Sequence, residues 1–345
     1  MINIRDLSYE ELEQKLIEMG QKKYRAKQIY AWLFREIESF DEMTDISKEL
    51  IQKLKENFIL NQLTLLQYQQ SKDGTIKYLF QLNDGHAIES VLMKYKYGYT
   101  ACISNQIGCK MGCTFCASAK IGFVRNMTAG EIVSQVLKVQ KEAGVTISNV
   151  VFMGIGEPLD NYENVMKAIR LMNDPKGLNI GARHISVSTC GIVPKIRMLA
   201  EENIQCNLCI SLHSSRENVR TDMMPINKVY HIDEIIDVCK EYIQKTNRRI
   251  TFEYALVDGV NDSYEDAIHL AHLLKGMLCH VNLIPINKIK GGKYEKSSVE
   301  KILRFRDTLN DRGIVATVRR ELGSDISAAC GQLVRDNKEE ENNNS

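Results

Sequence analysis

The residues best suited to chemistry in this chain are three cysteines in the run Cys109-Lys-Met-Gly-Cys113-Thr-Phe-Cys116. Three thiolates within eight residues can wrap one metal cubane. Thiolates select soft metals such as zinc or iron–sulfur clusters. A structural zinc knuckle needs a fourth ligand at regular spacing, usually a paired Cys or His. None follows nearby. The CxxxCxxC spacing, with an aromatic before the last cysteine, therefore points to one [4Fe–4S] cluster held through Cys109, Cys113 and Cys116. The fourth iron is left open to another ligand.

Two further features suit S-adenosylmethionine (SAM) as that ligand. Asn149-Val-Val-Phe-Met-Gly154-Ile-Gly156-Glu157-Pro158 reads as an apolar strand ending in glycines and an acid. Glycines let backbone approach a ligand, and a carboxylate or carbonyl can bind the SAM ammonium. Strand-Gly-x-Gly also ends many α/β strands for packing reasons alone. Ser188-Thr189-Cys190-Gly191 and Ser211-Leu212-His213 then end the next two strands with polar groups. Polar residues on consecutive strand ends favour a ligand over mere turn chemistry.

These groups need elements to place them. From about residue 100 strands and helices alternate. The strand candidates are Ala101–Ser104, Asn149–Met153, His184–Ser188, Asn207–Leu212, Ile250–Leu256, His280–Ile284 and Ile314–Val318. Helical stretches such as Ala129–Glu142, Ile232–Lys245 and Ser298–Asp311 lie between them. Repeated βα units mean a parallel sheet, with sites at the C-terminal strand ends. The first sixty or so residues read as helices. Ser8 and Glu11 form a capping box, and Gly20 supplies a stop. Tyr24 to about Glu36 carries Ile29, Trp32 and Leu33 on one face, and a third helix holds Leu50, Ile51 and Leu54. Between, short β segments turn at Lys72-Asp73-Gly74 and Asn83-Asp84-Gly85. The expected organisation is a helical N-terminal domain at 1–60, a β extension at 61–99, a core barrel at 100–335, and a disordered Asn/Glu-rich tail at 336–345.

A formal net charge of +1 announces no nucleic-acid partner, so such a partner must be argued from local patches. No apolar run is long enough to span a membrane and the start lacks a signal-peptide layout, which makes the cytoplasm the default. Ten cysteines in 345 residues are too few for a disulfide scaffold. In a reducing compartment, clustered cysteines are metal ligands or catalysts more often than bridges.

From about Tyr24 to Leu333 the chain resembles the bacterial RlmN/Cfr family of radical SAM RNA methyltransferases. The resemblance rests on Gln106-Ile-Gly-Cys109-Lys-Met-Gly-Cys113-Thr-Phe-Cys116-Ala, Met153-Gly-Ile-Gly-Glu-Pro-Leu159, Ser211-Leu-His213, Met224-Pro-Ile-Asn227, Asp258-Gly-Val-Asn-Asp-Ser263, Asn282-Leu-Ile-Pro-Ile-Asn287 and Ala328-Ala-Cys-Gly-Gln-Leu333. It implies a partial parallel (βα)6-type radical SAM barrel of the α/β class. It implies methylation of adenine C2 at one 23S rRNA adenosine and at the adenine beside the anticodon in tRNA, with two SAM per turnover. The implied cluster ligands are Cys109, Cys113 and Cys116, and the implied SAM contacts are Gly156, Glu157, Ser188, Ser211, Leu212, His213 and Asn287. Cys330 matches the cysteine that carries the methyl group, Cys102 its partner thiol, and Glu89 a proton acceptor. The resemblance also implies a monomer fed electrons by a flavodoxin or ferredoxin. Glu157-Pro158-Leu159 and Ile284-Pro285 look like the C2 branch. The alternatives are the C8-methylating Cfr branch, or a non-enzymatic iron–sulfur or zinc protein that binds ribosomes.

Adenine C2 is electron-poor and will not attack the SAM methyl in a polar displacement, whereas a carbon radical can add to it. A cysteine thiolate is a good methyl acceptor. Without the resemblance, Cys330 and Cys102 read as small buried residues. Cys206 and Cys209 point to opposite faces of a strand and do not chelate. Cys190, Cys239 and Cys279 read as packing residues, and His269 and His272 lack partner ligands. Three basic runs are available to RNA phosphates: Lys22, Lys23, Arg25, Lys27 and Arg35 interleaved with Tyr24, Tyr30, Trp32 and Phe34; Lys288, Lys290, Lys293 and Lys296; and Arg319-Arg320.

Overall fold

In a computed structural model of the protein, residues 1–35, 37–120, 122–287 and 291–333 are described. The expected disordered tail at 336–345, together with Lys288 and Lys290, lies outside the described residues.

Local signals start the N-terminal helices. Ser8 accepts from the Glu11 N–H, and Glu11 returns the bond to the Ser8 N–H, capping α1 (Tyr9–Glu18). Ser47 caps α3 (Lys48–Asn57) by accepting from the Leu50 N–H. Each such cap contributes about 1 kcal/mol. In α2 (Tyr24–Leu33) the buried face is Ala26, Ile29, Tyr30 and Leu33, with Trp32 only half-buried at its edge and hydrogen-bonded to Asp45. These helices share a hydrophobic cluster running from Ile4 to Phe58, separate from the main core. The unit docks on the barrel through Asp6, which accepts from the Gly130 N–H at 2.6 Å. Buried Arg5 donates to the carbonyls of Leu33, Ile37 and Asn61 and to Ser134. A Cβ on Gly130 would meet Asn3 and the Arg5 backbone at 2.5 and 2.9 Å, so this approach requires glycine.

The main sheet has ten strands: β1 (Thr64–Gln70), β2 (Ile76–Gln81), β3 (Ala87–Tyr95), β4 (Gly98–Cys102), β5 (Ile147–Phe152), β6 (Ile185–Thr189), β7 (Asn207–Ser211), β8 (Ile250–Leu256), β9 (Cys279–Pro285) and β10 (Ala316–Val318). They lie side by side in chain order. β1 to β4 form an antiparallel meander, and every pairing from β4 to β10 is parallel. Helices α4 (Ala129–Ala143), α5 (Tyr162–Asn173), α6 (Val193–Glu201), α8 (Ile232–Thr246), α9 (Tyr264–Leu273) and α10 (Val299–Asp311) make the crossovers, and the short α7 (Glu217–Met223) precedes α8. β1 and β10 are the two sheet edges, so the curved parallel array is a partial barrel of six βα units closed by β10. The inner parallel strands are buried on both faces, as parallel sheets demand: in β8 every residue except Thr251 is buried.

The expected boundary between the β extension and the barrel falls within one continuous sheet. The β extension is part of the barrel sheet, since β3 pairs directly with β4. The first parallel strand also starts at Gly98, before the boundary expected at 100, because Gly98 at φ +125° closes the β3–β4 turn.

Candidate active site

The C-terminal strand ends and the β4–α4 loop enclose one cavity of about 910 Å³. Cys109, Cys113 and Cys116 line it from the loop; Gly154, Gly156 and Glu157 line it from the end of β5; Ser188 and Cys190 from β6; Ser211 and His213 from β7; Glu253 and Ala255 from β8; Asn287 follows β9. The structure thus brings together nearly all the residues expected to form the site.

Among the expected SAM contacts Leu212 is the one whose side chain lies outside the cavity lining. Its side chain lies in the hydrophobic core, its N–H donates to the Glu253 carbonyl, and its own carbonyl accepts from Arg220. Alternation along the strand end turns Ser211 and His213 inward and Leu212 outward.

The glycines of the β5 end answer to packing first. A Cβ on Gly154 would meet the Ile103 carbonyl at 2.6 Å. One on Gly156, whose φ is +109°, would meet Gln106 at 2.6 Å and Asn105 at 2.9 Å. Close contact between this turn and residues 103–106 draws the backbone onto the cavity wall. Buried Glu157 accepts from the Cys190 N–H at 2.8 Å and from the Leu159 N–H at 3.0 Å, tying the ends of β5 and β6 together. Burial raises its pKa, and these bonds work against the rise. His213 is buried at φ +57°, and its Nδ1 accepts from the Ala255 N–H at 3.0 Å. The Phe115 ring meets it edge-on, with centroids 4.8 Å apart. Burial, helped by Arg220, pulls the His213 pKa down to about 3, so the imidazole is neutral at pH 7 with its proton on Nε2.

The three loop cysteines suit a cluster by their donor chemistry: three soft thiols on one cavity wall. Among the described residues no group of three or more His, Cys, Asp or Glu is close-set around a single point. Burial pushes Cys109 up to about 12 and raises Cys113 as well, so metal must displace their protons.

A second cavity of about 550 Å³ adjoins the first. Cys102, Val91, Met93, Tyr95 and Arg319 line it. Cys330 lines both cavities and stands at the partition between them. Its segment is pinned to the cysteine loop, where the Ala117 N–H donates to the Gly331 carbonyl at 2.7 Å and the Ser118 hydroxyl to the Leu333 carbonyl at 2.9 Å. Asn287 donates to the Cys330 carbonyl at 3.3 Å. Burial raises the Cys330 thiol pKa, and the Arg319 guanidinium opposes that rise. Burial pushes Cys102 up to about 12, with Cys330 adding to the shift. Glu89 shares a strand face with Val91 and Met93, pairs with Lys77 at 3.1 Å, and is outside the lining of both cavities.

Other expectations are revised. Arg319 is not part of a surface basic run: it is turned inward, 3.7 Å from Glu253 and 3.6 Å from the Met153 sulfur. Cys190 does more than pack, since it lines the cavity with its sulfur 3.5 Å from that of Met111. Among the N-terminal aromatics only Tyr24 is exposed; Tyr30 is buried with its hydroxyl on Asp174. Glu253 carried no sequence signal, Arg319 stood only in a basic pair and Met153 only at the head of a motif; neighbours far along the chain make all three part of the site.

Comparisons agree with this geometry. The profile of the radical SAM superfamily matches residues 104–271, and that of the ribosomal RNA large subunit methyltransferase N-terminal domain matches residues 2–60. The chain is 56% identical over 336 residues to the probable dual-specificity RNA methyltransferase RlmN of Clostridium tetani (strain Massachusetts / E88), covering 97% of this chain and 96% of that protein. It is 52% identical over 335 residues to the same-named protein of Staphylococcus aureus (strain Newman), covering 96% and 92%. The crystal structure of a radical SAM methyltransferase from Sphaerobacter thermophilus superposes with a TM-score of 0.94 at 47% identity, covering 97% of this chain and all of that one. With a cysteine-walled cavity at the mouth of a partial βα barrel and relatives of this likeness over almost its whole length, the chain belongs to the RlmN family of radical SAM methyltransferases.

Proposed function

We propose that this enzyme methylates C2 of an adenine in 23S rRNA and in tRNA, through a methyl group carried on Cys330. The observation that carries the reading is that Cys330 lines both the cavity with the three loop cysteines and the cavity with Cys102. Cys109, Cys113 and Cys116 hold a [4Fe–4S] cluster, and the polar strand ends from Gly156 to Asn287 hold SAM beside it. Bound there, the cofactors supply the methyl group and a 5′-deoxyadenosyl radical.

The protein's own groups do the rest. The Cys330 sulfur, drawn toward the thiolate by Arg319, would attack the methyl of bound SAM, with S-adenosylhomocysteine as the leaving group, and become a thioether. Loss of a hydrogen atom from that methyl leaves a carbon radical on the Cys330 side chain, which adds to C2 of an adenine extruded into the second cavity. The base is then bound covalently to Cys330. Loss of the C2 proton calls for a base at the second cavity; Glu89, on the strand face of Val91 and Met93, fills that role only once its side chain leaves Lys77 and turns toward a cavity it does not line. The adduct must give up its odd electron, which the bound cluster would accept. The Cys102 thiolate then attacks the Cys330 sulfur and breaks the S–CH2 bond; the released carbon takes a proton to become the methyl of the product, and the resulting Cys102–Cys330 disulfide needs a thiol reductant before the next turnover. Outside the barrel, Lys22, Lys23 and Lys27 are exposed around Tyr24, with Arg25 stacked 5.0 Å from the Tyr24 ring, a surface that suits phosphate contact and base stacking.

The test separates the two thiols. Anaerobically reconstituted Cys102→Ala, incubated with labelled rRNA fragment or tRNA, accumulates a covalent protein–RNA adduct on a denaturing gel. Cys330→Ala forms neither adduct nor methylated RNA. Wild type yields 2-methyladenosine by mass spectrometry of digested RNA. Equal inactivity of both variants with intact clusters and no adduct overturns the division of labour, and 8-methyladenosine overturns the assignment of C2.

A further inference from the structure

Arg220, on α7, is the largest fully buried side chain among the described residues, at 0% exposure. Its hydrogen bonds go to neutral groups: Nε to the Leu212 carbonyl at 3.1 Å, Nη1 to Asn227 Oδ1 at 2.6 Å, and Nη2 to the Cys190 carbonyl at 2.7 Å and the Ser211 carbonyl at 3.4 Å. Among the described residues no carboxylate forms an ion pair with it. Glu217 reaches it only through Asn227, whose amide donates to Glu217 at 2.6 Å. Glu157 lies on the far, N–H side of Cys190. An unpaired buried charge is costly, so a cation kept this way needs an anion close by.

The cysteine loop lies directly against this helix. The Thr114 N–H donates to the Met223 carbonyl at 2.9 Å, one turn beyond Arg220. Cys113 packs with Cys190, Met223 and Met224 in one small cluster of side chains. Four irons in the oxidised cubane state carry two net positive charges with their sulfides, so three cysteine thiolates leave the assembly negative, and reduction adds one more negative charge. Arg220 is the fixed cation beside that developing charge, in surroundings where Coulomb forces are weakly screened. Cluster potentials follow net charge, hydrogen bonding and burial.

Resting on the assignment of the three cysteines as cluster ligands, we propose that Arg220 sets the reduction potential of the cluster, its buried charge stabilising the reduced state. It is a tuning residue that touches neither SAM nor RNA.

The test is an anaerobic, dye-mediated redox titration of SAM-free reconstituted protein, followed by electron paramagnetic resonance. Iron and sulfide content check the cluster assignment separately. Arg220→Gln, loaded with a full cluster, is reduced about tenfold less favourably than wild type, a shift of 59 mV to more negative potential for a one-electron couple. Arg220→Lys, which keeps the charge but loses the fork, recovers most of the shift. A folded Arg220→Gln that loses the cluster while Arg220→Lys retains it also supports the role of the charge. A fully loaded Arg220→Gln with the wild-type potential overturns the proposal. Equal loss of fold or cluster in both variants overturns it too, because the hydrogen-bonding fork rather than the charge is then what matters. Absence of a cluster from wild type would instead reject the ligand assignment.

Discussion

Acidification offers a direct test of how His213 is held. In the unfolded chain its imidazole titrates near 6.5, whereas in the folded protein burial beside Arg220 pulls it down to about 3. Protonation would also put an N–H on the Nδ1 that accepts from Ala255 at 3.0 Å. Between the two values the unfolded state binds a proton that the native state refuses. Stability from this group is therefore complete above pH 6.5 and falls as the pH drops toward 3, by about 1.4 kcal/mol per pH unit. From pH 7 to pH 5 the loss is about 2 kcal/mol, a large share of a typical folding stability. Carboxylates titrate in the same range, so the comparison is with His213→Asn. Asparagine tolerates the left-handed backbone at φ +57° and can accept from the Ala255 N–H, but it does not titrate. Urea unfolding of cluster-free protein at pH 7, 6 and 5, followed by far-UV circular dichroism, should show wild type losing about 2 kcal/mol more than His213→Asn between the extremes. Parallel losses in the two proteins would refute the argument.

Gly156→Ala places a Cβ 2.6 Å from that of Gln106 at φ +109°, so strain and overpacking together cost about 2–6 kcal/mol. Its thermal midpoint should fall and SAM binding weaken with it, and a wild-type midpoint would show that the turn relaxes freely. Lys22→Glu, Lys23→Glu and Lys27→Glu combined should weaken tRNA binding and reduce its salt dependence, by about 0.7–0.9 in log–log slope for each phosphate no longer neutralised. Unchanged affinity across a salt series would remove the N-terminal helices from the RNA surface.

Signals that act within a few residues were legible in the sequence. The cap at Ser8, the turn glycines at 74 and 85 and the apolar periods of the barrel helices place their elements within one or two residues. The cysteine spacing, the β5 glycines and the polar ends of β6 and β7 all fall on one cavity. What escaped was set by distant neighbours. Arg319 follows β10 in sequence like any basic pair, and only the closing of the sheet turns it toward Glu253 and Cys330. Arg220 reads as a helix-surface charge until α7 folds over the ends of β6 and β7. Leu212 was carried into the site by the motif around it, although strand alternation alone sends its side chain to the core.

The β meander acquires a purpose once the last described segment is followed. After β10 the chain returns across the mouth of the barrel with few backbone partners of its own, so its position depends on what grips it. Three separate elements do so. The β1–β2 turn holds one end, with the Ser71 hydroxyl on Asp325 at 2.6 Å and the Gly323 N–H on Asp73 at 2.9 Å. The cysteine loop holds the other through Ala117 and Ser118, and Asn287 beyond β9 holds the middle at the Cys330 carbonyl. These bonds fix the Cys330 backbone while its thiol remains at the wall between two cavities. On the proposed mechanism the sulfur meets SAM on one side and then a base and Cys102 on the other, which calls for an anchored main chain and a thiol that borders both cavities. Extending the parallel sheet by an antiparallel meander places the β1–β2 turn where it can supply the outermost of those anchors.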